Sequence, residues 1–235
     1  MFRFQQFSVS QELAAMKICT DSLLFGAMMP VMPTATVLDI GTGTGLLALI
    51  AAQLGAGRVT GVELMEGACR EAVGNFERSP WADRLHAVRQ SIQYFAGTQP
   101  DRYDLIISNP PFFENHLNAE EPMRDAARHG GHLKHAELVK IADQLLAREG
   151  VFYVLLPRQS VFAFTRLCML SDLYLRHQTA FRGYAHSAAK VAALTFGRTR
   201  PNQPSFETMT IYDEQGIYSV ASRAYLADFL MRFAT

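Results

Sequence analysis

Five residues, Thr36-Val-Leu-Asp-Ile40, run directly into Gly41-Thr-Gly-Thr-Gly45. A short β-prone apolar run followed by three alternate glycines has few structural solutions. The strand must stop, the backbone must turn tightly, and the apolar residues up to Leu54 read as a helix on the far side of the turn. Further units follow: a strand over Arg58–Glu63 with a helix from Glu66 to about Arg78, and a strand over 85–90 with a short helical turn through Tyr94. The fourth strand, Tyr103–Ser108, is the most apolar and stops at Asn109-Pro110-Pro111, because consecutive prolines cannot donate ladder hydrogen bonds. A helix over 135–148 then precedes a strand over 151–156. This alternation predicts an α/β fold built on a mostly parallel sheet with helices on both faces. A helix near 161–170 and two strands near 174–180 and 191–197 follow. Antiparallel pairing of those two strands would close a seven-stranded sheet, with an antiparallel terminal strand. The tail reads as a hairpin around 213–216 and a helix over 222–233. Residues 1–34 form a lead-in, with a strand-like Phe2/Phe4 alternation and a short apolar helix ending near Pro30. Residues 35–235 form the main body of a single domain.

The composition excludes several classes. At 49% hydrophobic and 19% charged residues, a 235-residue chain can bury a large core and is not a disordered polymer. No apolar run reaches the roughly 18 residues that span a bilayer. The first ten residues lack the apolar core of a signal peptide. Cys19, Cys69 and Cys168 are scattered and odd in number, so the expected compartment is the reducing cytoplasm. The formal net charge is zero. Even so, Arg158, Arg166, Arg176, Arg182, Lys190, Arg198 and Arg200 face only one acid, Asp172, between Pro157 and Arg200. Such a run is either a phosphate-facing surface or a solvated basic face.

The glycine loop specifies its ligand class. A dinucleotide fingerprint would need glycine at position 46, where this chain has Leu46. Asp39 stands two residues before Gly41, giving DxGxGxG with Gly43 and Gly45. That pattern resembles the first motif of the S-adenosylmethionine methyltransferases, whose cofactor is an amino acid joined to an adenosine. The Asp39 carboxylate suits fixing the loop and the cofactor's ammonium end. Glu63 ends the second strand, where an acid can accept both ribose hydroxyls. Methyltransferases of this superfamily often end the third strand in an acid that contacts the adenine amine. Here Ser91 and Ile92 occupy that region, so any contact there is uncharged.

Asn109-Pro110-Pro111-Phe112 lies at the carboxyl edge of the sheet, where open α/β folds bind ligands. An exocyclic purine amine is a poor nucleophile because its lone pair is delocalised into the ring. The Asn109 side-chain oxygen and the Pro110 carbonyl can both accept from one such NH2 group. They would favour a pyramidal nitrogen and stabilise its developing charge. The prolines stiffen the corner, and Phe112 offers a stacking face worth roughly 1 to 3 kcal/mol. A neutral amine can lose its proton after attack, so positioning governs the step.

Taken together, Phe4-Gln-Gln-Phe7, Met16-Lys17, Thr20-Asp21-Ser22-Leu-Leu24, Gly26-Ala27, the glycine loop, Ile107-Ser-Asn-Pro-Pro-Phe-Phe113 and Ala127-Arg128-His129 make nearly the whole chain resemble the bacterial tRNA(Val) adenine-N6 methyltransferases. The resemblance implies a Rossmann-like class I methyltransferase fold, S-adenosylmethionine as cofactor, and a tRNA adenine as substrate. It also implies that Lys17, Thr20 and Asp21 close over the cofactor. Arg124 and Arg128, in the long segment after Phe112, are candidates for phosphate or base contacts, and the resemblance covers Arg128 better than Arg124. Many family members carry tyrosine at the position of Phe112. The NPPF string also resembles that of guanine-N2 rRNA methyltransferases, and NPPY serves glutamine-N5 methyltransferases of release factors. These targets, together with a non-catalytic RNA-binding module, stay open at the level of sequence. His129, His132 and His135 are spaced three apart with no carboxylate or cysteine at ligand spacing, so no metal and no membrane partner is expected.

Overall fold

The computed structural model describes residues 1–13, 17–98, 101–110 and 133–234. The lead-in forms a small antiparallel hairpin, β1 (Phe2–Arg3) and β2 (Ser8–Val9), and a helix α1 (Thr20–Ala27). The expected units follow: β3 (Thr36–Ile40), α2 (Leu46–Gln53), β4 (Arg58–Glu63), α3 (Glu66–Glu77), β5 (Leu85–Arg89), α4 (Ile92–Thr98) and β6 (Tyr103–Ser108). Beyond residue 132 come α5 (His135–Leu145), β7 (Leu146–Pro157), α6 (Val161–Met169), β8 (Tyr174–Arg182) and β9 (Val191–Gly197). The chain finishes with β10 (Ser205–Thr210), the hairpin β11 (Tyr212–Glu214) and β12 (Ile217–Tyr218), and α7 (Val220–Leu226).

One sheet organises the molecule, in the order β10-β8-β9-β7-β6-β3-β4-β5. All neighbours are parallel except where β9 runs antiparallel between β7 and β8. The α/β class and the β8–β9 pairing match the sequence expectation, and two details correct it. Among the described residues the sheet has eight strands rather than seven, because β10 adds in parallel to β8. Its side chains are exposed from Ser205 through Thr208 and only Met209 is buried, so it lacks the alternating signal of a half-buried strand. The antiparallel strand also lies inside the sheet, with β8 and β10 beyond it. The expected helix over 222–233 is shorter as well. It ends at Leu226, and Leu230 instead bridges to Phe4.

Helices cover both faces, leaving two apolar cores. On one face α1 and α2 pack against β3, β7 and β9, with Phe25 stacked on Tyr153 at 4.3 Å between ring centroids. On the other, α4, α5 and α6 enclose Phe152, Phe164 and Phe196. Phe4 and Phe7 of the lead-in belong to the first core. The lead-in is therefore sealed onto the main body by apolar burial.

Candidate active site

Strand ends bring the predicted residues into one row. Ile40 stands opposite Ser108 on one side and Val62 on the other, and Glu63 stands opposite Arg89. Ser91, Glu63, Gly41 and Asn109 therefore follow one another along the carboxyl edge. At about 4.8 Å per strand the row spans about 14 Å, enough for an elongated ligand with an amino-acid end and an adenosine end.

Asp39 is fully buried. Its Oδ2 accepts the Thr42 hydroxyl at 2.6 Å, which holds the loop. Oδ1 is buried without a well-formed hydrogen bond and feels only a weak pull from the Ala48 amide. Burial pushes the carboxyl up to about 7. The Thr42 hydrogen bond opposes that shift, and the neighbouring Glu63 charge adds to it.

The three loop glycines have different reasons to be glycine. All have positive φ (73°, 58° and 83° for Gly41, Gly43 and Gly45). A Cβ at Gly41 or Gly43 would meet nothing within 4 Å, so these two border open space. A Cβ at Gly45 would lie 2.3 Å from the Phe76 ring, so this glycine serves packing between the loop and α3. Inside the loop, the amides of Gly41 and Thr42 donate to the Val62 carbonyl, that of Gly43 to Glu63 Oε2 at 2.9 Å, and that of Gly45 to Thr42. With those amides spent, the loop is no phosphate nest. It offers shape and open space instead.

Glu63 Oε1 accepts the Met65 amide at 2.8 Å while Oε2 holds Gly43. Each carboxylate oxygen has a second lone pair, so a ribose diol would find a carboxylate already fixed in place. Ser91 Oγ accepts the Tyr94 amide at 3.2 Å, holding the start of α4. Ile92 is buried in the second core.

Ser108 Oγ donates to the Ile40 carbonyl at 3.0 Å and ties the end of β6 to the glycine loop. The next residue is Asn109. Its Oδ1 is buried and has no hydrogen-bond partner among the described residues. Leaving such an acceptor unmatched costs about 1–3 kcal/mol, and a donor from a ligand would recover it. Pro110, beside it, is also buried. Pro111, Phe112, Arg124, Arg128, His129 and His132 lie outside the described residues. Among the described residues no three His, Cys, Asp or Glu side chains gather as a metal site.

The lead-in touches the glycine loop at one place and the tail of the chain at another. Around residues 10–13, the buried Asn75 bonds Ser10 through both main-chain groups and reaches the Thr44 carbonyl at 2.9 Å. Glu71 Oε1 takes the amides of Glu12 and Leu13. Lys17 Nζ closes this turn onto the Gln11 and Glu12 carbonyls. At the other end, Thr20 Oγ1 and Tyr212 Oη are 2.8 Å apart. Burial raises the Asp21 carboxyl, and the Lys190 ammonium partly opposes this. Thr42, Ser108, Glu71, Asn75 and Tyr212 escaped the sequence reading. Only Glu71 and Asn75 carried a signal, as polar residues four apart on a helix face that is otherwise apolar.

Comparison with known proteins identifies the family and the fold. Residues 14–163 match the family model of the methyltransferase small domain. The chain is 36% identical over 234 residues, 99% of its length, to tRNA1(Val) (adenine(37)-N6)-methyltransferases of Yersinia pestis strain Pestoides F and Yersinia pseudotuberculosis serotype I. It covers 94% and 92% of those proteins. The chain belongs to this methyltransferase family. The fold of the methyltransferase is shared with a methyltransferase from Pyrococcus furiosus (TM-score 0.62, 17% identity, covering 82% of this chain and 89% of that one). It is shared too with the ribosomal protein L11 methylase of Lactobacillus delbrueckii subsp. bulgaricus (TM-score 0.58, 17% identity, covering 82% and 84%). No helix among the described residues of the methyltransferase is long and apolar enough to cross a membrane.

Proposed function

We propose that this methyltransferase transfers a methyl group from S-adenosylmethionine to the exocyclic N6 amine of an adenine in tRNA. Adenine 37 of tRNA1(Val), named for its relatives, is the proposed target. The observation that carries this reading is the buried Oδ1 of Asn109, unpartnered among the described residues and held beside the open glycine loop by the Ser108–Ile40 hydrogen bond.

The residues present fit the cofactor. Gly41 and Gly43 leave room for its amino-acid end, Asp39 supplies a carboxyl beneath the loop, and Glu63 would accept the ribose hydroxyls. Ser91 and Ile92 would border the adenine. Lys17, Thr20 and Asp21, on the lead-in, would close the site from above. Bound S-adenosylmethionine supplies a methyl group made electrophilic by its sulfonium.

The protein's part is to aim the amine. Asn109 Oδ1 and the Pro110 carbonyl would each accept one amine hydrogen, pulling the nitrogen out of conjugation and stabilising positive charge as it forms. Two consecutive prolines, Pro110 and Pro111, would limit movement of those acceptors, and Phe112 would stack on the base. No group needs to remove a proton before attack, because the amine is neutral. Arg124 and Arg128 would hold the RNA backbone near this corner. A tRNA substrate would place the enzyme in the cytoplasm.

Labelled methyl transfer from S-adenosylmethionine to separate samples of tRNA, rRNA and release factor tests the reading. Label should enter tRNA. Label in rRNA or in protein alone would overturn it.

A further inference from the structure

We infer that the carboxyl edge of the sheet from Arg158 to Tyr212 is the RNA-docking surface, with Tyr184 and His186 as a stacking platform for unpaired bases flanking the target. This inference rests on the tRNA reading above.

Strand direction sorts six of the seven basic residues between Pro157 and Arg200 into two groups, and the seventh, Arg166, lies on α6. Arg176, Arg198 and Arg200 lie at the amino edge, where β8 begins and β9 ends. There Arg198 binds Asp143 at 2.6 Å, Arg200 lies over the Tyr174 ring at 5.8 Å, and the Arg176 guanidinium lies against Gly197. Arg158 follows the end of β7, Arg182 ends β8, and Lys190 precedes the antiparallel β9. These three therefore come together on the same edge as Asn109. Arg158 and Lys190 are exposed there. Asp213 and Glu214, in the hairpin beyond, are acidic. Asp21, on α1, faces the Lys190 ammonium, which leaves Arg158 and Arg182 as the cations beside the reacting corner.

Aromatic rings continue the same edge. His186 is exposed and stacks on Tyr184 at 5.6 Å with planes 4° apart. Tyr184 in turn meets Tyr212 at 5.8 Å. Tyr212 is anchored below by Tyr218 at 5.0 Å and by Thr20. Rings interleaved with cations are the chemistry of single-stranded RNA recognition, since bases stack and phosphates pair. From β6 to β10 there are four strand steps, about 19 Å. A stacked strand advancing about 3.4 Å per nucleotide would cross that distance in five or six nucleotides, the scale of a hairpin loop.

A purely structural role would make these rings a small core that pins the tail. His186 distinguishes the two, since an exposed ring outside the core clusters contributes little to folding. The test measures binding of the full-length protein to an unmodified valine tRNA anticodon stem-loop transcript across a salt series. His186→Ala should weaken binding about 5- to 100-fold. Arg158→Ala should weaken it and lower the slope of log affinity against log salt by about 0.7 to 0.9. Melting temperature and S-adenosylmethionine affinity should match the wild type in both. Arg200→Ala, on the opposite edge, should leave RNA binding unchanged. Affinities within twofold of wild type for both edge variants, while the wild type still methylates tRNA, would overturn the docking surface and leave the proposed function standing. So would equal losses in Arg158→Ala and Arg200→Ala. Loss of affinity in His186→Ala in parallel with a lowered melting temperature would overturn the stacking role. A wild-type protein that neither binds nor methylates tRNA would overturn both readings.

Discussion

Ser108 and Ile40 stand opposite each other on adjacent parallel strands, and the serine hydroxyl donates to the isoleucine carbonyl at 3.0 Å inside the protein. Each is the last residue before a turn of the proposed site: Ile40 before the glycine loop, Ser108 before Asn109. One buried hydrogen bond therefore sets the distance between the cofactor loop and the acceptor proposed to hold the substrate amine. Sub-ångström placement matters for a displacement governed by alignment, and a sheet is a stiffer frame for it than two independent loops.

The glycines of the loop should separate by experiment. Gly45→Ala forces a side chain into left-handed backbone and into the Phe76 ring. It should destabilise the protein by about 2–4 kcal/mol, strain and overpacking together. Gly43→Ala meets open space and should cost only about 1 kcal/mol of backbone strain, while S-adenosylmethionine affinity falls at least tenfold. Urea denaturation with calorimetric titration of the cofactor checks both. Equal stability losses with unchanged affinity would show that Gly43 does not border the cofactor.

Asp39 should make the unliganded protein less stable as pH rises. Its folded carboxyl is pushed up to about 7 from an ordinary value of 3.8, first by burial. The folded chain thus holds the proton more tightly than the unfolded one. Stability linked to this group is full below about 4, declines as pH rises through about 7, and is flat above. The decline is at most about 4 kcal/mol. Asp39→Asn should remove that slope. A cofactor with a cationic end favours the ionised carboxyl, so its affinity should rise with pH across the same window in the wild type and not in the variant. Identical slopes in both proteins, from denaturation at pH 5 and pH 8, would contradict the assignment.

The lead-in should be energetically coupled to the tail through Thr20 and Tyr212, whose hydroxyls are 2.8 Å apart. Thr20→Val and Tyr212→Phe should each cost about 1 kcal/mol. The double variant should cost less than their sum, because one bond is lost only once. Strict additivity in a denaturation cycle would mean that the hydroxyls do not share a bond.

Much of this was legible in the chain because strand ends carry the chemistry. An apolar run stopped by DxGxGxG, by Glu63 or by Asn-Pro-Pro announces both the strand and its functional end, and in a parallel sheet those ends share one edge. Residues that only pair lacked any signature. Strand β10 shows a single buried side chain, Met209, so no alternation marks it. The spacing of Leu226, Phe229 and Leu230 mimics a helix, yet Leu230 leaves it to bridge Phe4. The basic run was visible as composition. Its division between two edges depends on β9 running backwards, and register is a property of pairing that a linear pattern does not carry. Thr42 and Ser108 were hidden for the same reason, as each acts on a group brought close by the sheet.

Nucleoside mass spectrometry of unmodified valine tRNA, incubated with S-adenosylmethionine and either wild-type protein or Asn109→Ala, tests the central claim most directly. The wild type should yield N6-methyladenosine at position 37. The variant should form it about 100- to 1,000-fold more slowly, the scale of losing one directed contact to a developing charge, with cofactor affinity unchanged. N2-methylguanosine in place of N6-methyladenosine, or equal rates from the two proteins, would contradict the account.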